Sequence, residues 1–335
     1  VYPRIGAVEV LEATKRTEHY NAALTEPNTG RGVAFGYWGN GGGKSSCTIH
    51  VNDDGSVMLV EGSTDIGGTR ASIAMQAAET LGLKADDIKP LVVDTDSVGY
   101  TGVTGGSRTT FATGISAIEA AQDVVRQLKE RAGKLWNVPA ESVQHEKGVF
   151  RARSADGELT ATLKELAAQL DKTGGPITGR SNVMPSGRGA AFASTIVDLK
   201  IDPETGKTQV LRATIVQDAG KAIHPSYVEG QMQGGVVQGI GWALSEEYFM
   251  NDRGEMTNAS LLDYRMPTAY DLPMIDTVIV EVPNPGHPFG VRGTGEVPLV
   301  PPVPAVANAV YRATGARVNH LPITPGRILE ATSVI

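Results

Sequence analysis

Alternating apolar and polar positions mark the first structured stretch of the chain. Residues 47–51 (CTIHV) and 56–62 (SVMLVEG) both alternate, and they flank Asp53-Asp54-Gly55, a hairpin turn signal. In 69–82 the period changes: Ile73, Ala77 and Leu81 recur every four residues and Gly82 follows, which predicts a helix with a glycine stop. The run 88–94 (IKPLVVD) reads as a buried strand. A loop rich in Gly, Thr and Ser spans 99–114, and a long helix is predicted from Ile115 to Leu135, with Ile115, Ile118, Val125 and Leu128 on one face.

The segment 171–190 carries Gly, Pro, Ser and Thr without periodicity and predicts an internal boundary. After it the pattern restarts. Residues 192–202 and 208–218 read as two strands around Pro203-Glu204-Thr205-Gly206. A glycine-rich helix is predicted over 226–244, then a strand near 244–250, a strand over 278–283 and a helix from Pro304 to Thr314. Both halves thus run hairpin, helix, further strand, without repeating their sequence. The predicted fold class is α+β, with two mixed α/β lobes. Residues 1–30 read as a polar, irregular arm that needs a partner surface. The first lobe is placed at 31–180 and the second at 181–335.

Composition narrows the function classes. The balance of 30 Lys+Arg against 37 Asp+Glu, net −7, argues against a broad basic face for nucleic acid, and 5% aromatics argues against stacking platforms for single strands. No run approaches the roughly 20 apolar residues of a membrane span, and no signal peptide is visible, so a cytoplasmic protein is expected. Cys47 is the single cysteine, which leaves no disulfide and no cysteine-built iron–sulfur or zinc site within the chain. The six histidines never pair at i,i+4, so no metal is expected directly on protein side chains; a metal carried by an organic cofactor would leave no such trace. Glycine is the outlier, at 40 of 335 residues. The glycines cluster in short motifs, as where backbone approaches something closely.

Four of these motifs could carry chemistry, each with a plainer reading beside it. EGSTDIGGTR (61–70) leads into a helix start, where free N–H groups bind anions, or is an ordinary turn. GYTGVTGGSRTTFATG (99–114) offers hydroxyls, amides and the Arg108 cation around Gly105-Gly106, which suits a phosphate or oxyanion, or is a capped helix start; without GK[ST] it is not a Walker A loop. In EGQMQGGVVQGIGW (229–242) Gln238 shares a helix face with Gly235 and Gln231. It can hydrogen-bond a heterocycle edge, while the glycines can equally serve close helix packing. In GVRGTGEVP (290–298) Glu296 stands in a stiff glycine- and proline-rich loop, suited to general-base work if desolvated, or is a solvated loop carboxylate. Asp218, Lys221 and His224 read as the cap of a strand-to-helix turn, and no G-x-S-x-G elbow anchors a hydrolase triad.

Taken in order, EGSTDIGGTR, TGGSRTTFATG, DAGKAIHP, GQMQGGVVQGIGWALSEE, DYRMPTAYDLP, GVRGTGEVPLVPP and ATGARVNHLPITPGRI resemble one family. They look like the C-terminal half of the molybdenum-binding subunit of xanthine dehydrogenase/aldehyde oxidase-type molybdenum hydroxylases, over about residues 30–332. The resemblance implies a molybdopterin cofactor, in bacteria usually the cytosine dinucleotide, whose molybdenum carries a sulfido or selenido ligand. It implies Glu296 as catalytic base. It places Gly67, Gly68, Thr69, Thr104, Gly105, Gly106, Ser107, Arg108, Thr109, Gln238 and Gly295 at the cofactor. Arg292 is a candidate for stabilising the anion that develops on the ring, and Tyr20 of the arm is expected to approach the substrate pocket. The implied reaction hydroxylates an N-heteroaromatic ring, nicotinate- or purine-like, with water as oxygen source and hydride passing to the chalcogenide ligand.

Two departures stand out. Gly67-Gly68-Thr69 replaces the family's usual Gly-Gln-Gly, which removes a glutamine contact, and Glu296-Val297-Pro298 replaces Glu-Pro-Pro while keeping the carboxylate. The family's first molybdenum half, with its substrate-gripping residues, has no counterpart in these residues. The resemblance therefore implies one subunit of a split enzyme, as in nicotinate dehydrogenase-like enzymes. A large partner would carry the other molybdopterin half, and iron–sulfur and FAD subunits would carry the electrons. A non-catalytic assembly subunit, or a fragment of a single-chain dehydrogenase, are the alternatives.

Overall fold

The computed structural model describes residues 4–94, 96–155, 157–187 and 189–333. In chain order the elements are α1 (Ala7–Arg16), α2 (Glu18–Asn21), β1 (Thr29–Trp38), β2 (Ser45–Val51), β3 (Val57–Glu61), α3 (Thr69–Leu81), β4 (Ile88–Val92) and α4 (Thr109–Trp136). There follow β5 (Gln144–Glu146), β6 (Val149–Ser154), β7 (Gly157–Thr162), α5 (Leu163–Ala167), α6 (Leu170–Thr173) and β8 (Ile177–Val183). The remainder comprises β9 (Ala191–Ile201), β10 (Thr208–Asp218), α7 (Pro225–Leu244), β11 (Ile275–Val280), α8 (Pro302–Thr314) and α9 (Pro325–Thr332). This is the expected α+β class with two mixed lobes. The residues group into a first unit, 40–188 with 285–291, and a second unit, 1–39 with 189–284 and 292–335.

In the first unit a sheet of order β4-β3-β2-β8 pairs β2 antiparallel with both β3 and β8, and β3 parallel with β4 through the α3 crossover. Ile49, Val51 and Leu59 of the sheet cluster with Ile73, Ala77 and Leu81 of α3 and with Ala117, Ala121, Val124 and Leu128 of α4, all buried. The period-two strands and the four-residue helix period thus bury one common core. A small sheet β5-β6-β7 belongs to the same unit.

The second unit repeats this plan with different residues. Its sheet has the order β1-β9-β10-β11, with β9 antiparallel to β1 and β10, and β11 parallel to β10 through α7. Each edge strand, β1 or β8, directly precedes in sequence the hairpin of the other unit. The architectural echo read from the sequence is this shared strand order.

Helix α8 lies directly on β1, because Gly30 and Gly32 have no side chain to hold it off. A Cβ at Gly32 would stand 1.9 Å from the Ala305 carbonyl oxygen and 2.5 Å from the Ala309 nitrogen. Gly32→Ala is expected to destabilise the protein by about 1–3 kcal/mol, the usual cost of overpacking. Gly234→Ala, where nothing lies within 4 Å, is the control. Thermal unfolding that leaves the two variants alike would show that α8 can shift without cost.

Several expectations are corrected. Within the described part of the expected arm, α1 and α2 belong to the second unit and bury Val10, Thr14 and His19, so it is not irregular. Arg31 grips Asp198 with two bonds of 2.7 and 2.6 Å and donates to the Tyr20 and Ala22 carbonyls. His19 bridges Thr214 Oγ1 (2.8 Å) and Asp198 (3.2 Å). Burial works against the Asp198 charge, but Arg31 and His19 outweigh it and hold the carboxyl below its usual range. The expected boundary at 171–190 contains β8, whose strand pairing was hidden by its polar residues. The expected strand near 244–250 is absent, apart from a single bridge from Met250 to Met256. Strand β1 was not foreseen, and α4 starts at Thr109, six residues earlier than expected.

Candidate functional site

The first unit holds the glycine loops. The loop 101–108 turns through Gly106 (φ +68°) and Ser107 (φ +56°) into α4. A left-handed serine is uncommon, and it directs the chain abruptly into the helix. The Arg108 side chain makes no cap at the start of α4, a helix end whose first-turn N–H groups suit an external acceptor. Among the described residues the buried side-chain oxygens of Thr101 and Thr109 have no hydrogen-bond partner. A Cβ on Gly105 would meet nothing within 4 Å, so the crest of the loop is open. Thr104 is half-buried beside it.

A second wall went unnoticed in the sequence, although the run Gly39-Asn40-Gly41-Gly42-Gly43 was its signal. Gly41 N–H donates to the Gly106 carbonyl, and Gly43 N–H to the Pro185 carbonyl. A Cβ on Gly42 would fall 2.1 Å from that Pro185 oxygen and 2.2 Å from the Gly187 nitrogen. Three loops, 40–43, 101–108 and 185–187, therefore meet backbone to backbone. Asn40 is 6% exposed, and neither polar atom of its carboxamide has a partner among the described residues.

Arg108 holds these loops together and does not extend toward a ligand. Its guanidinium donates to the carbonyls of Gly42 (2.6 Å), Gly102 (3.1 Å), Gly43 (3.1 Å) and Lys44 (2.6 Å), and to Ser45 Oγ (2.7 Å). Burial lowers its pKa from the ordinary arginine value. The expected cofactor cation is thus a strut.

The start of α3 differs from that of α4. Gly67 and Gly68 both take positive φ (+63° and +74°), and Thr69 opens the helix. Asp65 already fills the anion position there: it accepts from Arg70 N–H (3.0 Å) and pairs with the Arg70 side chain (3.1 Å). Of the two helix starts, the one at α4 is the more open to a phosphate. Glu61, at the end of β3, is buried; burial pushes its carboxyl up, opposed by hydrogen bonds from Ser63.

His287 supports the same region from the 285–291 segment. Its Nδ1 accepts from Phe289 N–H (3.0 Å), and its ring lies 5.5 Å from that of Phe111 in the first turn of α4. Burial pushes its pKa down to about 4. The folded chain therefore favours the neutral ring, whereas the unfolded chain takes up a proton near pH 6.5. The stabilisation is fully present above about pH 6.5 and is lost as pH falls toward 4, a change of about 3 kcal/mol. Urea unfolding of the wild type should show this slope, and His287→Gln should flatten it. Identical slopes would exclude His287 as the cause.

The second unit holds Glu296 and Gln238. Glu296 is half-buried and stands just before the short turn Val297–Leu299, whose Leu299 N–H bonds the Glu296 carbonyl (3.3 Å). Fully buried Gln217 donates to the Thr294 carbonyl (3.0 Å), one residue before Gly295. From the other side, Gly235 and Gly239 let α7 close on the loop: a Cβ on Gly235 would be 2.5 Å from Pro298, and one on Gly239 2.7 Å from Pro302. The packing reading of these glycines is correct, and its effect is a rigid backbone under Glu296. Gln238 is exposed on the adjoining helix face and lines a cleft of about 450 Å³ with Trp242, Tyr264 and Leu299.

Arg292 is corrected. It is 2% exposed and pairs with fully buried Asp218 at 3.1 Å. It also donates to the carbonyls of Val282 (2.9 Å), Ala190 (2.8 Å) and Arg4. Burial pushes the Asp218 carboxyl up and the Arg292 guanidinium down, each opposed by the partner's charge. Arg292 is a buried strut, held among these carbonyls and Asp218 away from solvent. Asp218 also accepts from Gly220 and Val282 N–H, which fulfils the expected turn cap. Tyr20 is 43% exposed on α2 and does not line the cleft beside Gln238.

Among the described residues no helix is long and apolar enough to cross a membrane, and no three His, Cys, Asp or Glu side chains gather to hold a metal ion.

Comparison with known proteins gives the family. A model described as the molybdopterin cofactor-binding domain matches residues 7–273. The xanthine dehydrogenase molybdenum-binding subunit of Escherichia coli O157:H7 is 32% identical over 333 residues, covering 96% of this chain and 44% of that subunit. Subunit gamma of the 6-hydroxypseudooxynicotine dehydrogenase complex of Paenarthrobacter nicotinovorans is 29% identical over 297 residues, covering 84% of this chain and 37% of the relative. Quinoline 2-oxidoreductase from Pseudomonas putida 86 superposes with a TM-score of 0.81 at 26% identity, over 97% of this chain and 44% of that one. The chain thus spans less than half the length of these relatives. With most of its length matched by the family model and nearly all of it by the E. coli subunit, this chain belongs to the molybdopterin cofactor-binding domain family, as a homologue of xanthine dehydrogenase molybdenum-binding subunits.

Proposed function

We propose that this chain is one molybdopterin-binding part of a hydroxylating dehydrogenase acting on an N-heteroaromatic ring, with Glu296 as general base. The residues of the first unit fit the cofactor. The uncapped start of α4, the unpartnered hydroxyls of Thr101 and Thr109 and the open crest at Gly105 form a cradle for a phosphate-bearing, hydrogen-bonding ligand. Thr104, Gly105, Gly106, Ser107 and Thr109 would hold it, and Gly67, Gly68 and Thr69 would offer backbone; cofactor contacts at Gln238 and Gly295 belong to the same reading. Bound molybdopterin supplies two-electron oxidation with oxygen drawn from water. Its cytosine dinucleotide form and a sulfido or selenido ligand belong to the same reading.

The observation that carries the catalytic part is the immobilised loop under Glu296, braced by Gln217 and by the glycine face of α7. A general base must be held at a fixed place to take a proton as the new C–O bond forms. The names of the relatives, among them quinoline 2-oxidoreductase, support a nitrogen heterocycle as substrate. The reading passes the electrons to iron–sulfur and FAD groups outside these residues, in which buried Cys47 is the only cysteine. The reading therefore includes a partner with the rest of the molybdopterin site, an iron–sulfur subunit and an FAD subunit, in the cytoplasm.

The test is turnover of a panel of nicotinate, quinoline and hypoxanthine by the natively purified complex in ¹⁸O-labelled water. Label in a hydroxylated ring is the expected result. Product oxygen derived from O₂, or no ring oxidised by a molybdenum-loaded complex, would overturn the proposal.

A further inference from the structure

A buried hydrogen-bonded chain runs between the two glycine loops of the first unit. The Arg108 guanidinium donates to Ser45 Oγ at 2.7 Å. Ser45 Oγ lies 3.0 Å from Thr113 Oγ1, which lies 2.8 Å from Ser63 Oγ. The Ser63 N–H donates to Glu61 Oε2 at 2.5 Å. All five residues are at most 4% exposed. The guanidinium end only donates and the carboxylate end only accepts, while either hydroxyl can be the donor in the Ser45–Thr113 and Thr113–Ser63 pairs between them. Breaking one of these buried bonds leaves groups unpaired on both sides.

We infer that Thr113 is a positioning residue of the cofactor cradle, the central link of a buried hydroxyl relay that locks the 61–69 loop to the 101–108 loop. Thr113 sits on α4 one turn beyond the helix start that would face the cofactor, and it touches Ser45 at the start of β2 and Ser63 just after β3. The inference rests on the proposed cofactor role of these loops. The coupling of the loops can nevertheless be tested without cofactor.

Hydrogen exchange is measured on the full chain as wild type, Thr113→Val, Thr113→Ser and Ser63→Ala. Thr113→Val keeps the shape and removes the hydroxyl. It is expected to speed amide exchange about tenfold in both loops together, and Thr113→Ser to restore it to within about twofold. Acceleration in one loop only, or in neither, overturns the relay. Should Thr113→Val fail to fold, Ser63→Ala carries the test, with about threefold faster exchange expected in both loops and no change counting against it. Molybdenum per chain is then compared after loading. Thr113→Val is expected to hold about tenfold less at limiting cofactor, with Thr113→Ser near wild type. Equal loading in the presence of loosened loops would leave Thr113 structural and overturn the positioning role. A wild type that takes up no molybdopterin would instead remove the proposed function, while exchange would still decide the relay.

Discussion

Glu296→Gln should lower turnover by about 10²–10⁴-fold while leaving molybdenum content and the folded structure unchanged. The substitution is nearly isosteric, and backbone braces support the loop beneath the side chain. Its backbone is braced by the bond from Gln217 to Thr294 and by the closure of α7 over Pro298 and Pro302. What the variant loses is the ability to take a proton at the side-chain oxygen. A catalytic base therefore predicts a loss in kcat with cofactor retained, and a structural carboxylate predicts the reverse pattern, altered stability with turnover kept. Steady-state rates normalised to molybdenum make the distinction. Activity within about threefold of wild type would place Glu296 outside the general-base range.

Arg292→Met should destabilise the second unit by about 3–5 kcal/mol. The variant leaves the Asp218 charge buried without its partner and removes the donor from the Val282 and Ala190 carbonyls. Adding Asp218→Asn removes the stranded charge, so the double variant should recover part of the loss and leave the cost of the orphaned carbonyls. If Arg292 instead faced a substrate, Arg292→Met would raise KM at unchanged stability. Urea unfolding of the single and double variants separates the two cases. A single variant as stable as wild type would contradict the buried strut.

The sequence made the elements legible where local periodicity set them. The β2–β3 hairpin, α3, the β9–β10 hairpin, α7 and α8 follow from their own apolar spacing and turn residues. It hid elements whose partners are remote. Strand β1 has glycines where a strand usually carries side chains, and its reason is the backbone of α8 more than 270 residues away. Strand β8 is polar at alternate positions and reads as loop until it pairs with β2. The two arginines singled out for ligands were misjudged for one reason. Nothing near Arg108 or Arg292 in sequence reveals that each is buried among backbone carbonyls. Conversely, Gln217 carries no motif, and only the fold brings it to the Glu296 loop that it braces. Glu296 and the 101–109 loop were legible because their glycines and prolines announce a rigid turn beside a functional group.

The most direct test of the account is the molybdenum and pterin content of the natively purified chain together with whatever co-purifies. The account predicts about one molybdenum atom and one pterin per copy of this chain, held through the start of α4, with iron from partner subunits alongside. An intact complex containing every partner but neither molybdenum nor pterin would contradict it.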